Sequence, residues 1–312
     1  MTPRVMGLNG FGLEVPDLQE ARRFYETFGL QAREEGDALL LRCPGRLNDE
    51  VVLIQGAKKR LHHVSFLVSP AALGVFADRL RAQGMAPTEA SPVAGTRAGL
   101  WFKDPWGTRI NLHPGELQPE PVVALPEYNL GGQIRRVDVN LWQALEPTRG
   151  RRPLRLGHIL IFTPDWEKAE RFFTEVLGLR PTDRIAGKGV FMNAGEGIVD
   201  HHCFALIQSS HRGLQHASFY VASFDDIGFG AWHMRESGYR ELFGPGRHAI
   251  ASNLFEYFRD PWGSWIEYYS DMDKVTSHWV CRDWRSLPYT WGPQWSPEFW
   301  SDEMNGNFEP EY

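Results

Sequence analysis

An α+β chain of four βαβββ modules, arranged as two tandem halves, is the fold the sequence predicts, and three internal matches predict it. Leu13-Glu14-Val15-Pro16-Asp17 followed by EARRFYETFGL is echoed by Ile161-Phe162-Thr163-Pro164-Asp165 followed by KAERFFTEVLGL. Leu61-His62-His63-Val64-Ser65-Phe66 matches Leu214-Gln215-His216-Ala217-Ser218-Phe219, and the run from Phe102 to Asn111 (FKDPWGTRIN) matches the run from Phe258 to Glu267 (FRDPWGSWIE). Three matches in the same order mark a duplication.

The elements follow in order. Each half opens with a strand, a Pro-Asp helix-start signal at Asp17 or Asp165, an amphipathic helix, and a glycine stop at Gly29 or Gly178. Shorter strands come next, and a new strand and helix begin near residues 61 and 214. The second half ends with a Gly-Pro-Gly turn at 244–246, a strand with Phe255 and Tyr257 on one face, an Asp260-Pro261-Trp262-Gly263 turn, and a strand on which Trp265, Glu267 and Tyr269 share a face. Residues 1–135 are expected to form a first domain and 154–275 a second. Residues 136–153 read as a linker ending a Pro-rich stretch, and 276–312 as a Trp-rich extension wrapped over the second domain.

Bulk properties narrow the function. A chain of 312 residues is natural for two domains of about 150 residues each. A net charge of −6 without a basic block disfavours nucleic acid and anionic membranes as partners. No apolar run approaches a membrane span, and MTPRVMGLNG lacks a signal-peptide core. Cys43, Cys203 and Cys281 are an odd, widely spaced set, which argues against a disulfide framework and fits a reducing cytoplasm. Twelve tryptophans in a chain that is 13% aromatic point to a ring-lined site or interface.

The duplication also works as an internal control. His158 falls opposite Gly10, His216 opposite His63, and Glu267 opposite Asn111, so ligand-type residues gather in one half only. Each has an ordinary reading by itself: His158 as a satisfied strand histidine, and His216 as a position where His63 shows that histidine persists without a site. Glu267 is the sharpest signal, because a carboxylate among aromatic strand residues is costly unless a cation meets it. Together the three form the His, His, carboxylate set that leaves positions open on non-haem Fe(II).

At these residues the sequence resembles the type I extradiol catechol dioxygenases of the vicinal oxygen chelate superfamily, which has a glyoxalase-like fold, and it is most like the homoprotocatechuate 2,3-dioxygenase branch. The resemblance implies His158, His216 and Glu267 as metal ligands and His202, in Asp200-His201-His202-Cys203, as the acid–base histidine. His248 and Tyr257 match further pocket residues, whereas His201 is taken as structural. The same resemblance implies Fe(II) (Mn(II) in some members), a catechol and O2 as partners, a 2-hydroxymuconic semialdehyde type product, and a frequent homotetramer. That branch carries an arginine before the Gly-Pro-Gly turn to hold a substrate carboxylate, and this chain has Phe243 there. An apolar or larger ring substituent is therefore expected, against a wall of Phe191, Phe243, Phe255 and Trp291; the alternative is that Arg247, Arg282 or Arg285 takes over the carboxylate.

Rival readings within the fold fare less well. A glyoxalase-like isomerase needs a fourth protein ligand from the strand near Cys203–Ile207, which offers no carboxylate. A 4-hydroxyphenylpyruvate dioxygenase is disfavoured by the His202, His248 and Tyr257 set, and a drug-sequestering binding protein needs no acid–base histidine.

Overall fold

A computed structural model describes residues 3–93, 97–146, 153–240, 242–285, 289–294 and 299. The first module comprises β1 (Gly7–Val15), α1 (Leu18–Phe28), β2 (Gln31–Glu35), β3 (Ala38–Arg42) and β4 (Val51–Gln55). The second comprises β5 (Arg60–Val68), α2 (Leu73–Ala82), β6 (Leu100–Lys103) and β7 (Arg109–Pro114). It departs from the expected pattern, because its remaining strand is reduced to an isolated bridge between Thr88 and Trp101. A short helix, α3 (Leu141–Leu145), lies in the connection to the second half.

The third module has β8 (Arg155–Thr163), α4 (Trp166–Phe172) continued by a π turn over Phe173–Leu177, β9 (Arg180–Ile185), β10 (Gly189–Asn193), β11 (Val199–Asp200) and β12 (Phe204–Gln208). The fourth has β13 (Gly213–Tyr220), α5 (Phe224–Glu236), β14 (Leu242–His248), β15 (Leu254–Arg259) and β16 (Trp265–Ser270). Three short strands follow: β17 (Lys274–Val275), β18 (Arg282–Trp284) and β19 (Tyr289–Trp291). Strands β18 and β19, from the described part of the extension, add to the two edges of the second sheet.

The helix signals act as read. Asp17 caps α1 by accepting from the Gln19 and Glu20 amides, and Asp165 caps α4 by accepting from the Lys168 amide. Gly29 and Gly178 end these helical segments at φ of 115° and 77°, a conformation that favours glycine.

Apart from the small β11–β17 pair, the two large sheets obey one pairing rule. Within each module the first strand returns to lie parallel to the last, as β1 with β4, β5 with β7, β8 with β12 and β13 with β16. The two modules of a half then join through antiparallel pairs, β1 with β5 and β8 with β13. The first sheet runs β2-β3-β4-β1-β5-β7-β6, and the second runs β18-β9-β10-β12-β8-β13-β16-β15-β14-β19. This order sets β8, β13 and β16 side by side.

One apolar cluster joins the halves. Phe28 stacks on Tyr268 with ring centroids 4.1 Å apart, the Tyr268 hydroxyl donates to the Phe28 carbonyl, and Phe66 meets Phe204 edge-on at 5.3 Å. Ile266 and Tyr268 point into this cluster. By the two-residue alternation of a strand, Trp265, Glu267 and Tyr269 face the opposite side, where the site lies. Among the described residues, no helix is long and apolar enough to cross a membrane.

Candidate metal centre

Register brings the three candidate ligands together. Ser218 on β13 stands opposite His158 on β8 and opposite Glu267 on β16. His216 precedes Ser218 by two residues and so shares its face. The result is a buried group in which one ligand atom from each of His158, His216 and Glu267 lies within 4.8 Å of the others. His158 Nε2 is 3.1 Å and His216 Nε2 3.7 Å from Glu267 Oε2.

The surroundings orient these groups. Ser218 Oγ donates to Glu267 Oε2, and Asn253 Nδ2 donates to Glu267 Oε1 at 3.5 Å. Gln215 Oε1 accepts from His216 Nδ1, which leaves His216 Nε2 as the lone-pair nitrogen. That buried Nε2 has no hydrogen-bond partner. Burial pushes the His216 pKa down to about 3, so the ring is neutral, as a metal ligand must be. Burial also opposes ionisation of Glu267, but hydrogen bonding from His158 and His248 and the close approach of His158 and His216 hold it below the usual carboxylate range. An ionised buried carboxylate beside two imidazoles, one with an idle lone pair, fits a divalent cation.

His202, His248 and Tyr257 line a tight, mostly apolar cavity of about 30 Å³. His202 reaches it, with its ring centroid 4.4 Å from that of His158 and 4.9 Å from that of Phe191. His248 Nε2 and the Tyr257 hydroxyl pair at 3.1 Å across the cavity from His202. Burial and the nearby Glu267 carboxylate raise the Tyr257 pKa well above its ordinary value, so the phenol keeps its proton to donate. Burial, then the neighbouring histidines, lowers the His202 pKa well below its ordinary value.

The expected wall is only partly the observed one. Phe191 lines the cavity, but Phe243 and Phe255 stand behind it: Phe255 stacks on His248 at 4.1 Å, and Phe243 stacks on Phe255 at 5.9 Å. Trp291 lies outside the lining, 43% exposed, edge-on to Phe224 at 6.2 Å, because the pairing of β19 with β14 carries it to the sheet edge. Phe299 takes the place foreseen for a tail tryptophan. It is 1% exposed, and its carbonyl accepts from Gln215 Nε2 at 2.8 Å.

Gln215, Ser218, Asn253 and Phe299 were not singled out from the sequence. Ser218 was within reach, being two residues from His216 on a strand. Asn253 was not, because it follows Ala251 and Ser252 at φ of 67° and 58° in a turn with no sequence signature.

Residues 155–268 match the model of the Glyoxalase/Bleomycin resistance protein/Dioxygenase superfamily. Within that superfamily the chain belongs to the extradiol dioxygenases. It is 34% identical over 310 residues to metapyrocatechase 2 of Cupriavidus necator, covering 95% of this chain and 91% of that one. It is 23% identical over 316 residues to the manganese-dependent 2,3-dihydroxybiphenyl 1,2-dioxygenase of Geobacillus genomosp. 3, covering 95% and 97%. The solved structure of an extradiol ring-cleaving dioxygenase from B. fuscum shares the fold at a TM-score of 0.75 and 20% identity, over 98% of this chain and 86% of that one.

Proposed function

We propose that the protein opens substituted catechols beside the diol, using O2 and an Fe(II) ion, with Mn(II) as the alternative, to give a 2-hydroxymuconic semialdehyde type product. The observation that carries this reading is the convergence of His158, His216 and Glu267 at the wall of an apolar cavity that also holds His202, His248 and Tyr257. An ion held by the three ligands would supply Lewis acidity and an electron path between catechol and oxygen. The remaining work falls to the chain. His202 takes a hydroxyl proton from the substrate and later returns one. Tyr257 donates to a catechol oxygen, held in place by His248, and steadies negative charge as it develops.

The cavity lining favours an apolar substituent over a charged one. Leu160, Phe191, Ile250 and Phe299 line it, and among the described residues no arginine or lysine does. Arg247 is engaged elsewhere, donating to Asp271 at 2.9 Å and to the Ser252 carbonyl at 2.5 Å. Homotetramer assembly and a cytoplasmic location belong to the same proposal; the three free cysteines support the latter. The isomerase alternative lacks support, since among the described residues no carboxylate joins the trio as a fourth ligand.

The test is anaerobic loading with Fe(II), then exposure to air and a catechol panel. A yellow ring-cleavage product is expected, with alkyl- and aryl-substituted catechols turned over faster than 3,4-dihydroxyphenylacetate. No product from any catechol would end the enzymatic reading, and preference for the arylacetate would end the apolar-pocket reading. Size-exclusion chromatography with light scattering reads the assembly.

A further inference from the structure

Behind His202 runs a line of polar groups for which the reading above has no use. His202 Nδ1 lies 3.2 Å from His201 Nδ1, and His201 Nε2 lies 3.2 Å from Asp183 Oδ2. Asp183 is 1% exposed, His201 0% and His202 4%. The line is held from several sides. The His201 amide donates to the Asp273 carbonyl at 2.8 Å, Trp279 meets the His201 ring edge-on at 5.2 Å, and Asp183 Oδ1 accepts from the Arg282 amide at 2.9 Å.

The other half shows that the fold does not require this arrangement. By strand register, Asp183 pairs with Phe191, which pairs with Ala205, as Arg33 pairs with Leu40, which pairs with Val52. Counting back three residues from Ala205 and from Val52 sets His202 level with Asp49. The first half therefore carries an Arg33–Asp49 ion pair at 2.7 Å, with the arginine side chain 41% exposed, where the second buries Asp183, His201 and His202.

Hydrogen-bond bookkeeping along the line has a direction. A carboxylate only accepts, so His201 carries its proton on Nε2. Nδ1 of His201 is then the acceptor of that ring, and the proton between the two rings belongs to His202 Nδ1. We propose that Asp183 and His201 are positioning residues that fix the tautomer of His202, so that His202 faces the substrate with a lone pair on Nε2. The proposal rests on His202 being the acid–base group of the reading above.

Asp183→Asn tests it with little change of shape. The Arg282 amide can only donate, so it holds the oxygen of the new side chain and turns the side-chain amide nitrogen toward His201. His201 must then accept at Nε2 and donate from Nδ1, which moves the His202 proton to Nε2, the wrong place for a base. In the metal-loaded full chain, kcat is expected to fall by on the order of 10²-fold or more, with KM for the catechol within about threefold and metal content unchanged. His201→Phe should act in the same direction, and His201→Asn, whose side-chain oxygen accepts from His202 Nδ1, should recover part of the loss.

Neutron diffraction from deuterated crystals of the unsubstituted protein reads the protons directly, expected on His202 Nδ1 and His201 Nε2. A proton on His202 Nε2, or an Asp183→Asn variant with undiminished kcat, would overturn the proposal. Absence of ring cleavage by the unsubstituted protein would instead overturn the functional reading, and the neutron map would still decide the tautomer.

Discussion

The two halves build the same three-strand core and put opposite things into it. In the second half, His158, His216 and Glu267 gather around space for a cation. In the first half, a guanidinium fills the equivalent space. Arg97 Nε donates to His63 Nε2 at 2.9 Å, and its terminal nitrogen reaches the Glu50 and Phe11 carbonyls at 3.2 and 3.4 Å. Gly10 makes this possible, because a side chain there would run into the Arg97 guanidinium and the Glu50 carbonyl. Burial lowers the Arg97 pKa to about 10, which still leaves it charged near neutrality.

Much else is shared. Ser65 Oγ donates to Asn111 Oδ1 at 2.6 Å as Ser218 Oγ donates to Glu267, and Trp101 meets His63 edge-on at 5.0 Å as Tyr257 meets His216 at 5.2 Å. The same strands thus frame a cation in either half, one covalently part of the chain and one that would have to be bound. A guanidinium is a permanent internal filling, whereas two imidazoles and a carboxylate make a site for an exchangeable ion. Arg97 occupies the first half's space, so that copy is packed rather than hollow.

Four tests probe this contrast, from the largest expected effect to the smallest. Combining His158→Gly with Glu267→Asn gives the second half the residues of the first. Stoichiometric metal binding should vanish by elemental analysis, and ring cleavage should fall on the order of a thousandfold or more, since the ion's contribution to catalysis is several kcal/mol. Retained metal would mean that the ligands are misassigned.

Gln215→Leu removes the acceptor that orients His216. Metal affinity, read by chelator competition, should drop by about 10–100-fold. Gln215→His, which copies His62 of the first half, keeps an acceptor nitrogen and should lose less.

Arg97→Met should cost about 2 kcal/mol of stability, because the His63 nitrogen and two buried carbonyls lose their donor. The melting temperature should fall while turnover per bound metal stays constant. A change in metal content would break the picture of two independent fillings.

Glu256 provides the smallest effect and a pH dependence. It stands where the first half has Leu100, and burial raises its pKa from 4.5 to about 7, with Arg235 opposing. Between those two values the folded chain holds a proton that the unfolded chain releases, so stability falls as pH rises through this window. Glu256→Gln should therefore stabilise by on the order of 1 kcal/mol at pH 8, and the gain should shrink to nothing toward pH 4.5. Thermal unfolding at both pH values checks the slope; a gain that grows toward low pH would contradict the sign.

Periodicity and repeat symmetry determined a great deal in this chain. They gave the module pattern, the helix caps at Asp17 and Asp165, and the trio that converges at the candidate site, because side-chain alternation along a strand and a comparison of duplicated positions are local properties that can be read in one dimension. Strand neighbours and the long return of the tail are decided only when the sheet closes. That is why Phe299 and not Trp291 reaches the cavity, why Arg97 went unnoticed as the first half's substitute for an ion, and why His201, read as structural, stands between Asp183 and His202. Each of these contacts joins residues distant along the chain or in an irregular loop, where no period constrains the side chain and packing alone selects its partner.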